Sequence, residues 1–161
     1  MRQLICKFFF IGVAVSFLFY ESCWQKEGTG LPKIRYGKDL CNECGMIISE
    51  EQFVTTALDS EGNTLRFDEI GCMVLYQAKH PNLIKHSWVH DYLTKEWIEA
   101  DKAYYVSGND TTAPMGYGIV GFSSQKEAEG FARSHGGQVV AMRDLAALVN
   151  RQKSHVVGSP H

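Results

Sequence analysis

The chain has 161 residues, of which 45% are hydrophobic and 12% are aromatic. This composition is sufficient for a compact core and excludes a wholly disordered chain. The formal net charge is −2, and the Lys and Arg residues form no cluster. Because binding to phosphates requires a concentrated positive field, the composition argues against nucleic acid as a partner.

The first 23 residues have the pattern of an export signal. Arg2 and Lys7 accompany an apolar run over Phe8–Tyr20, which as a helix is shorter than the hydrocarbon core of about 30 Å. Cys23 follows, as in a bacterial lipoprotein signal. The sequence therefore predicts a signal peptide over 1–22, lipid acylation of Cys23 and a lipid-anchored tether over 23–32. The alternatives are an uncleaved anchor, a plain signal peptide or a buried helix, and all but the last place the protein in the periplasm or cell envelope.

Two segments of similar order follow the tether. Between residues 33 and 93 the pattern predicts strand, strand, helix and strand, in that order: Phe53–Leu58, Thr64–Phe67, Glu69–Lys79 and Ser87–Tyr92. Asp68 is predicted to cap the helix.

The same order recurs between residues 94 and 151. Strands are predicted at Ala103–Val106, Gly118–Phe122 and Gln138–Met142, with a helix that Ser124 and Glu127 cap and that Gly136 and Gly137 end. A last helix over Asp144–Arg151 and a loose tail over 152–161 follow. The fold class is thus α+β, with two small ββαβ units over 33–93 and 94–151 that we interpret as an internal repeat. A single α+β domain is the alternative.

The spacing of Cys41 and Cys44 directs both sulfurs toward one point. Covalent haem requires a His after the second Cys, and Gly45 excludes it. A zinc ribbon requires a second pair of cysteines, although Cys72 and a His would complete a three-Cys site. A thioredoxin-like redox pair opens a helix, whereas Gly45 and β-branched residues follow here. A soft-metal site and a small disulfide remain as interpretations.

Methionines near these cysteines favour monovalent copper. Met46 follows Cys44 by two residues, and Met115 lies between Pro114 and Gly116 in a predicted exposed bend. Thioether sulfur is a soft ligand that suits Cu(I) but contributes little to zinc binding. Core packing is the alternative for each methionine.

Cys72 lies near the start of the first predicted helix. The positive end of the helix dipole favours a thiolate there, so the sequence predicts a lowered pKa for Cys72. The predicted metal ligands are therefore sulfur atoms from five residues: Cys41, Cys44, Met46, Cys72 and Met115. His90 is a weaker candidate, with Asp91 placed to orient its imidazole.

The sequence contains no recognisable catalytic set, so we expect a metal carrier and not an enzyme. A thiol-disulfide oxidoreductase using Cys41 and Cys44 is one alternative. A zinc-stabilised binding module is the other.

Five motifs resemble the NosL family of copper-chaperone lipoproteins, which are accessory to nitrous oxide reductase. They are Cys44–Met46 (CGM), Phe67-Asp68 before a helix, Trp97–Val106 (WIEADKAYYV), Pro114–Gly116 (PMG) and Ala132–Gly137 (ARSHGG). The resemblance implies two small ββαβ domains, a lipid anchor outside the cytoplasm, and delivery of Cu(I) during assembly of a copper centre. Its implied partners are a copper-enzyme client such as nitrous oxide reductase and a membrane transporter complex. Cys44, Met46 and Met115 match the family motifs, whereas Cys41 and Cys72 rest on the chemistry of sulfur.

Overall fold

The structure is a computed structural model that describes residues 31–157, with side chains as far as residue 152. The predicted signal peptide, the acylation site at Cys23 and the end of the predicted tail lie outside the described residues. From Pro32 onward the described chain belongs to one compact unit.

The first sheet is antiparallel and has the strand order β2-β1-β3-β4. Its strands and the helix between them are β1 (Thr55–Asp59), β2 (Thr64–Phe67), α1 (Ile70–Lys79), β3 (Ile84–His90) and β4 (Trp97–Glu99). The β1–β2 hairpin turns where the Asp59 carboxylate accepts hydrogen bonds from the amides of Glu61 and Asn63, each at 2.8 Å. This turn aligns Thr55 with Phe67, which places Phe67 in the core beneath α1.

The second sheet is also antiparallel and has the order β6-β5-β7. Its elements, with the C-terminal helix, are β5 (Tyr104–Ser107), β6 (Ile119–Phe122), α2 (Gln125–His135), β7 (Gln138–Val140) and α3 (Met142–Val157). In both sheets a hairpin is followed by a helix, and the next strand pairs with the first strand of that hairpin. The predicted α+β class and the recurring ββαβ order are therefore confirmed, and this shared pairing is consistent with a repeat. The division into domains at residues 93 and 94 stays a prediction.

Asp91 links the two sheets at the end of β3. Its buried carboxylate accepts hydrogen bonds from the amide and hydroxyl of Ser123, both at 2.8 Å. The Tyr92 amide donates to the Gly121 carbonyl at 2.9 Å. The sequence predicted that Asp91 orients His90, and that role is wrong, because the carboxylate is engaged with Ser123 and the turn that follows β3.

The core beneath α1 draws on both halves of the chain. Ile70 and Met73 of α1 pack in the same buried cluster as Tyr105 of β5 and Leu145 of α3. A second buried cluster lies around Phe122 and beneath α2. The tertiary contacts of α1 with α3 thus fix the helix that carries Cys72.

Several predicted element bounds differ from those observed. The strand predicted at Ser87–Tyr92 begins earlier, at Ile84, and β4 is a three-residue strand too short to have a clear sequence pattern. The closing strand ends at Val140, and Met142 instead starts α3, which continues to Val157 and includes part of the predicted tail. Met142 is partly buried and packs against the core.

Helix capping also differs from expectation. Glu69, and not Asp68, is the N-cap residue of α1, and its side chain makes no capping hydrogen bond within the described chain. The Asp68 carboxylate accepts instead from the thiol of Cys44. Ser124 is the N-cap of α2 as predicted, but within the described chain its hydroxyl makes no capping hydrogen bond. Among the helices between residues 31 and 157, none has the length and apolar character that a membrane crossing needs.

Candidate metal centre

A tight loop positions the first two cysteines. The Cys41 amide donates to the Met46 carbonyl at 2.8 Å, and the Gly45 amide donates to the Cys41 carbonyl at 3.0 Å. Gly45 has φ +75°, a conformation that costs glycine little and other residues more. The loop therefore closes on itself and brings the side chains of Cys41 and Cys44 to the same side.

Asn42 fixes this loop to the edge of the first sheet. Its amide donates to the Arg66 carbonyl at 2.8 Å, and its side-chain oxygen accepts from the Arg66 amide at 2.7 Å. Arg66 is two residues before Asp68. These two hydrogen bonds thus position the cysteine loop against the chain that leads into α1.

Four side chains converge between this loop and the first turn of α1. One ligand atom from each lies within 4.8 Å of all the others, and we call this set the thiol cluster: Cys41, Cys44, Asp68 and Cys72. In the described part of the chain these three cysteines are free thiols. Cys41 is 3% exposed and Cys72 is 1% exposed, whereas Cys44 is half-buried. The cluster can therefore be approached from the side of Cys44.

The three thiols have different pKa values because their hydrogen bonds and burial differ. The Cys72 thiol donates to Cys41 and lowers the pKa of Cys41 to about 7, with help from the amides of Cys44 and Asp68 and against the effect of burial. The same hydrogen bond, together with burial, raises the pKa of Cys72. Burial raises the pKa of Cys44 to about 12. The predicted lowering at Cys72 is thus wrong, because its hydrogen bond to Cys41 and its burial raise its pKa, and the lowered pKa falls on Cys41.

Asp68 belongs to the thiol cluster, although the sequence predicted it to be a helix cap. Cys44 Sγ donates to its Oδ2 at 3.5 Å. Its Oδ1 is buried and has no hydrogen-bond partner among the described residues. Its position four residues before Cys72 was the available signal, since that spacing brings side chains to one side of a helix start.

Both predicted methionine ligands are solvent-accessible. Met46 is 48% exposed and Met115 is 39% exposed. The Met46 amide faces the sulfur of Cys44, so this methionine borders the cluster through its own loop. Neither side chain is sealed in the core, which was the alternative for each, whereas Met73 is fully buried.

Met115 belongs to a loop that lies against the N-terminal end of α1, and we call Pro114–Gly118 the methionine loop. The amides of Met115 and Tyr117 face the Glu69 carboxylate. The Tyr117 ring lies over Gly71, so closely that a Cβ on Gly71 would come within 2.2 Å of the ring. The methionine loop therefore packs on the same helix turn that carries Cys72.

This packing predicts opposite effects for two glycine-to-alanine substitutions. Gly71→Ala should destabilise the protein by about 2 kcal/mol, since the new methyl group displaces the Tyr117 ring. Gly130→Ala in α2 is the control, because its Cβ would meet just the end of the Arg133 side chain, at 3.8 Å. It should stabilise by about 0.5–1 kcal/mol. Urea unfolding monitored by circular dichroism measures both, and equal effects would contradict the packing.

His90 lies outside the thiol cluster. Its Nδ1 donates to the Lys95 carbonyl at 2.7 Å, and its ring packs at a tilt against Trp97 with centroids 3.7 Å apart. Burial lowers its pKa, and the ring is packed as a buried core residue.

The fold and the thiol cluster together define a small α+β protein with a thiol-rich potential metal site. The family model for NosL matches residues 35–149. The chain belongs to the NosL family, which confirms the resemblance of its motifs.

Similar proteins share this assignment. The copper-binding lipoprotein NosL of Stutzerimonas stutzeri is 26% identical over 141 residues, which are 81% of this chain and 74% of that protein. The copper-binding lipoprotein NosL of Achromobacter cycloclastes is 48% identical over 50 residues, which are 30% of this chain and 26% of that protein. The crystal structure of the copper chaperone NosL from Shewanella denitrificans superposes with a TM-score of 0.63 at 22% identity, covering 71% of this chain and 94% of that chain. This last likeness shows the shared fold.

Proposed function

We propose that this protein is a non-catalytic carrier that binds Cu(I) at the thiol cluster and releases it to a copper enzyme. The observation that carries the proposal is the convergence of three free thiols within 4.8 Å, next to a carboxylate. Thiolate and thioether sulfurs are the soft ligands that monovalent copper prefers. The copper-binding names of the relatives support the same metal.

Copper release requires a site that an incoming ligand can reach. Cys44 is half-buried, whereas Cys41 and Cys72 are buried. A ligand from the client would displace Cys44 and an exposed thioether first, and the two buried thiolates last. Met46 and Met115 would complete the copper shell on the exposed side, so that transfer proceeds by stepwise exchange of sulfur ligands.

The setting of the carrier follows from the family and the N-terminal pattern. We propose that Cys23 is acylated and keeps the protein on a membrane of the cell envelope, facing the periplasm. Nitrous oxide reductase is the proposed client, and a membrane transporter complex is a proposed further partner. A single acyl chain anchors weakly, so contacts with such a complex would add to the attachment.

A zinc-stabilised module is the second candidate, because three thiols and one carboxylate match the four ligands of a structural zinc site. Anaerobic titration of the reduced protein with Cu(I) and with Zn(II), each against a competing chelator, separates the two functions. A copper carrier binds Cu(I) in preference to Zn(II) and is folded without metal. Tighter Zn(II) binding, or a chain that folds only with Zn(II), would favour the module.

Met115→Leu should weaken Cu(I) binding by about tenfold, since even outer partners of metal sites contribute factors of 10 to 100. Met73→Leu is the matched control, because Met73 is fully buried in the core, and it should leave Cu(I) affinity unchanged. The same competition titration measures both variants. Unchanged Cu(I) affinity in Met115→Leu would show that this thioether is not a copper ligand. A thiol oxidoreductase would likewise be unaffected by Met115→Leu, because its activity would not depend on this methionine.

A further inference from the structure

Glu69 is a buried carboxylate that has no hydrogen-bond partner among the described residues. The residue is 1% exposed, and no donor of the described residues meets hydrogen-bond geometry with either of its carboxylate oxygens. Burial of a polar group without a partner costs free energy. A buried carboxylate without a partner beside a candidate metal site indicates a second conformation in which the carboxylate accepts hydrogen bonds.

The donors for such an arrangement are already directed at Glu69. The backbone amides of Met115 and Tyr117 face its carboxylate. They are alternate residues of the methionine loop, so both amides can reach one carboxylate. A small displacement of this loop toward α1 would form two hydrogen bonds to a charged acceptor, which are stronger than neutral ones.

Two glycines shape the methionine loop, and the Gly116 amide donates to the Ala113 carbonyl at 3.0 Å. Gly116 and Gly118 have φ values of +76° and +57°, in the region where glycine is least restricted. Behind the loop, the Gln152 side chain donates to the Tyr117 carbonyl at 3.2 Å. The loop is thus attached at Tyr117, while Met115 remains partly exposed.

We propose that Glu69 is a positioning residue for Met115 in copper binding. With Cu(I) at the thiol cluster, the amides of Met115 and Tyr117 donate to the Glu69 carboxylate, and the docked loop directs the Met115 thioether onto the metal. Glu69 is adjacent to Asp68 and three residues before Cys72, so a loop docked there lies beside the cluster. This inference rests on the proposed copper-binding function.

A double-mutant cycle on Cu(I) affinity tests the coupling. Glu69→Gln and Met115→Leu should each weaken binding by about tenfold, the size expected for one lost hydrogen bond to a charged group. The double variant should lose no more than about tenfold in Cu(I) affinity, since both changes remove the same ligand. Glu127→Gln, at an exposed residue in the first turn of α2, is the matched control and should bind as the unmodified protein does.

Two further measurements report on the site and not on general stability. Copper-edge X-ray absorption should lose one sulfur scatterer in Glu69→Gln and in Met115→Leu alike. In the unmodified protein, Cu(I) should slow hydrogen exchange at the amides of Met115 and Tyr117 by at least about tenfold.

Unchanged affinity in Glu69→Gln, an additive loss of about a hundredfold in the double variant, or unchanged amide exchange on copper loading would each overturn the inference. An effect of Glu69→Gln without any effect of Met115→Leu would overturn it too. Absence of Cu(I) binding by the unmodified protein is a different result, because it refutes the proposed function itself.

Discussion

Cys72→Ser is expected to weaken Cu(I) binding by at least about a hundredfold, since even partners outside the metal shell contribute up to that factor. Cys72 lies in the first turn of α1 with its thiol inside the cluster. Serine has nearly the same shape, but its hard hydroxyl oxygen is a poor ligand for a soft cation. Competition titration against a Cu(I) chelator under anaerobic conditions measures the loss.

The control for Cys72→Ser distinguishes a lost ligand from a damaged core. Cys72 is buried, and a carboxylate oxygen of Asp68 lies within 4.8 Å of its sulfur as a nearby acceptor for the serine hydroxyl, so the metal-free variant should keep its fold. Thermal unfolding of the metal-free protein checks this point. A well-folded Cys72→Ser variant with unmodified Cu(I) affinity would contradict the role of Cys72 as a ligand.

Glu69→Gln is expected to stabilise the metal-free protein by up to about 3 kcal/mol at pH 8. Burial is the main cause that raises the pKa of Glu69 to about 7, with a smaller contribution from the charge of Asp68. The folded state therefore binds a proton more tightly than the unfolded state, whose Glu69 has an ordinary pKa near 4.5. The stability that this group contributes is complete below about pH 4.5 and is lost as pH rises through about 7.

The pH profile of urea unfolding tests this expectation. The unmodified metal-free protein should lose stability between about pH 4.5 and 7 relative to Glu69→Gln, and the two curves should be parallel above about pH 8. Glu127→Gln again serves as the control, since Glu127 is exposed. If the difference in unfolding free energy between the unmodified protein and Glu69→Gln did not change with pH, the Glu69 carboxylate would not have the raised pKa expected from its burial.

The stability cost at Glu69 and its proposed role in copper binding have the same origin. A carboxylate that is buried without partners destabilises the metal-free fold, and the proposed docked loop would relieve it. Glu69→Gln is therefore expected to gain stability while it loses copper affinity, a trade that is common where a site contains unsatisfied groups.

Local sequence determined the elements that depend on neighbouring residues. The hairpin of β1 and β2 follows from two short strand-forming segments and the turn between them, where the Asp59 carboxylate accepts from the Asn63 amide. The loop of Cys41 and Cys44 follows from their spacing and from Gly45, whose positive φ suits a tight turn. The exposed bend at Met115 follows from the flanking Pro114 and Gly116. Each of these features needs no more than a few successive residues, so the pattern of the chain was enough.

Tertiary structure decided what depends on residues distant in sequence. Asp68 faces Cys44 in place of capping α1, because the cysteine loop approaches it across 24 residues. Cys41 has the lowered pKa in place of Cys72, because a thiol from α1 donates to it. Glu69 becomes buried because a loop more than 40 residues later covers it. In each case the energy of a charge or proton depends on the groups packed around it in space, and these are defined only once the fold has formed.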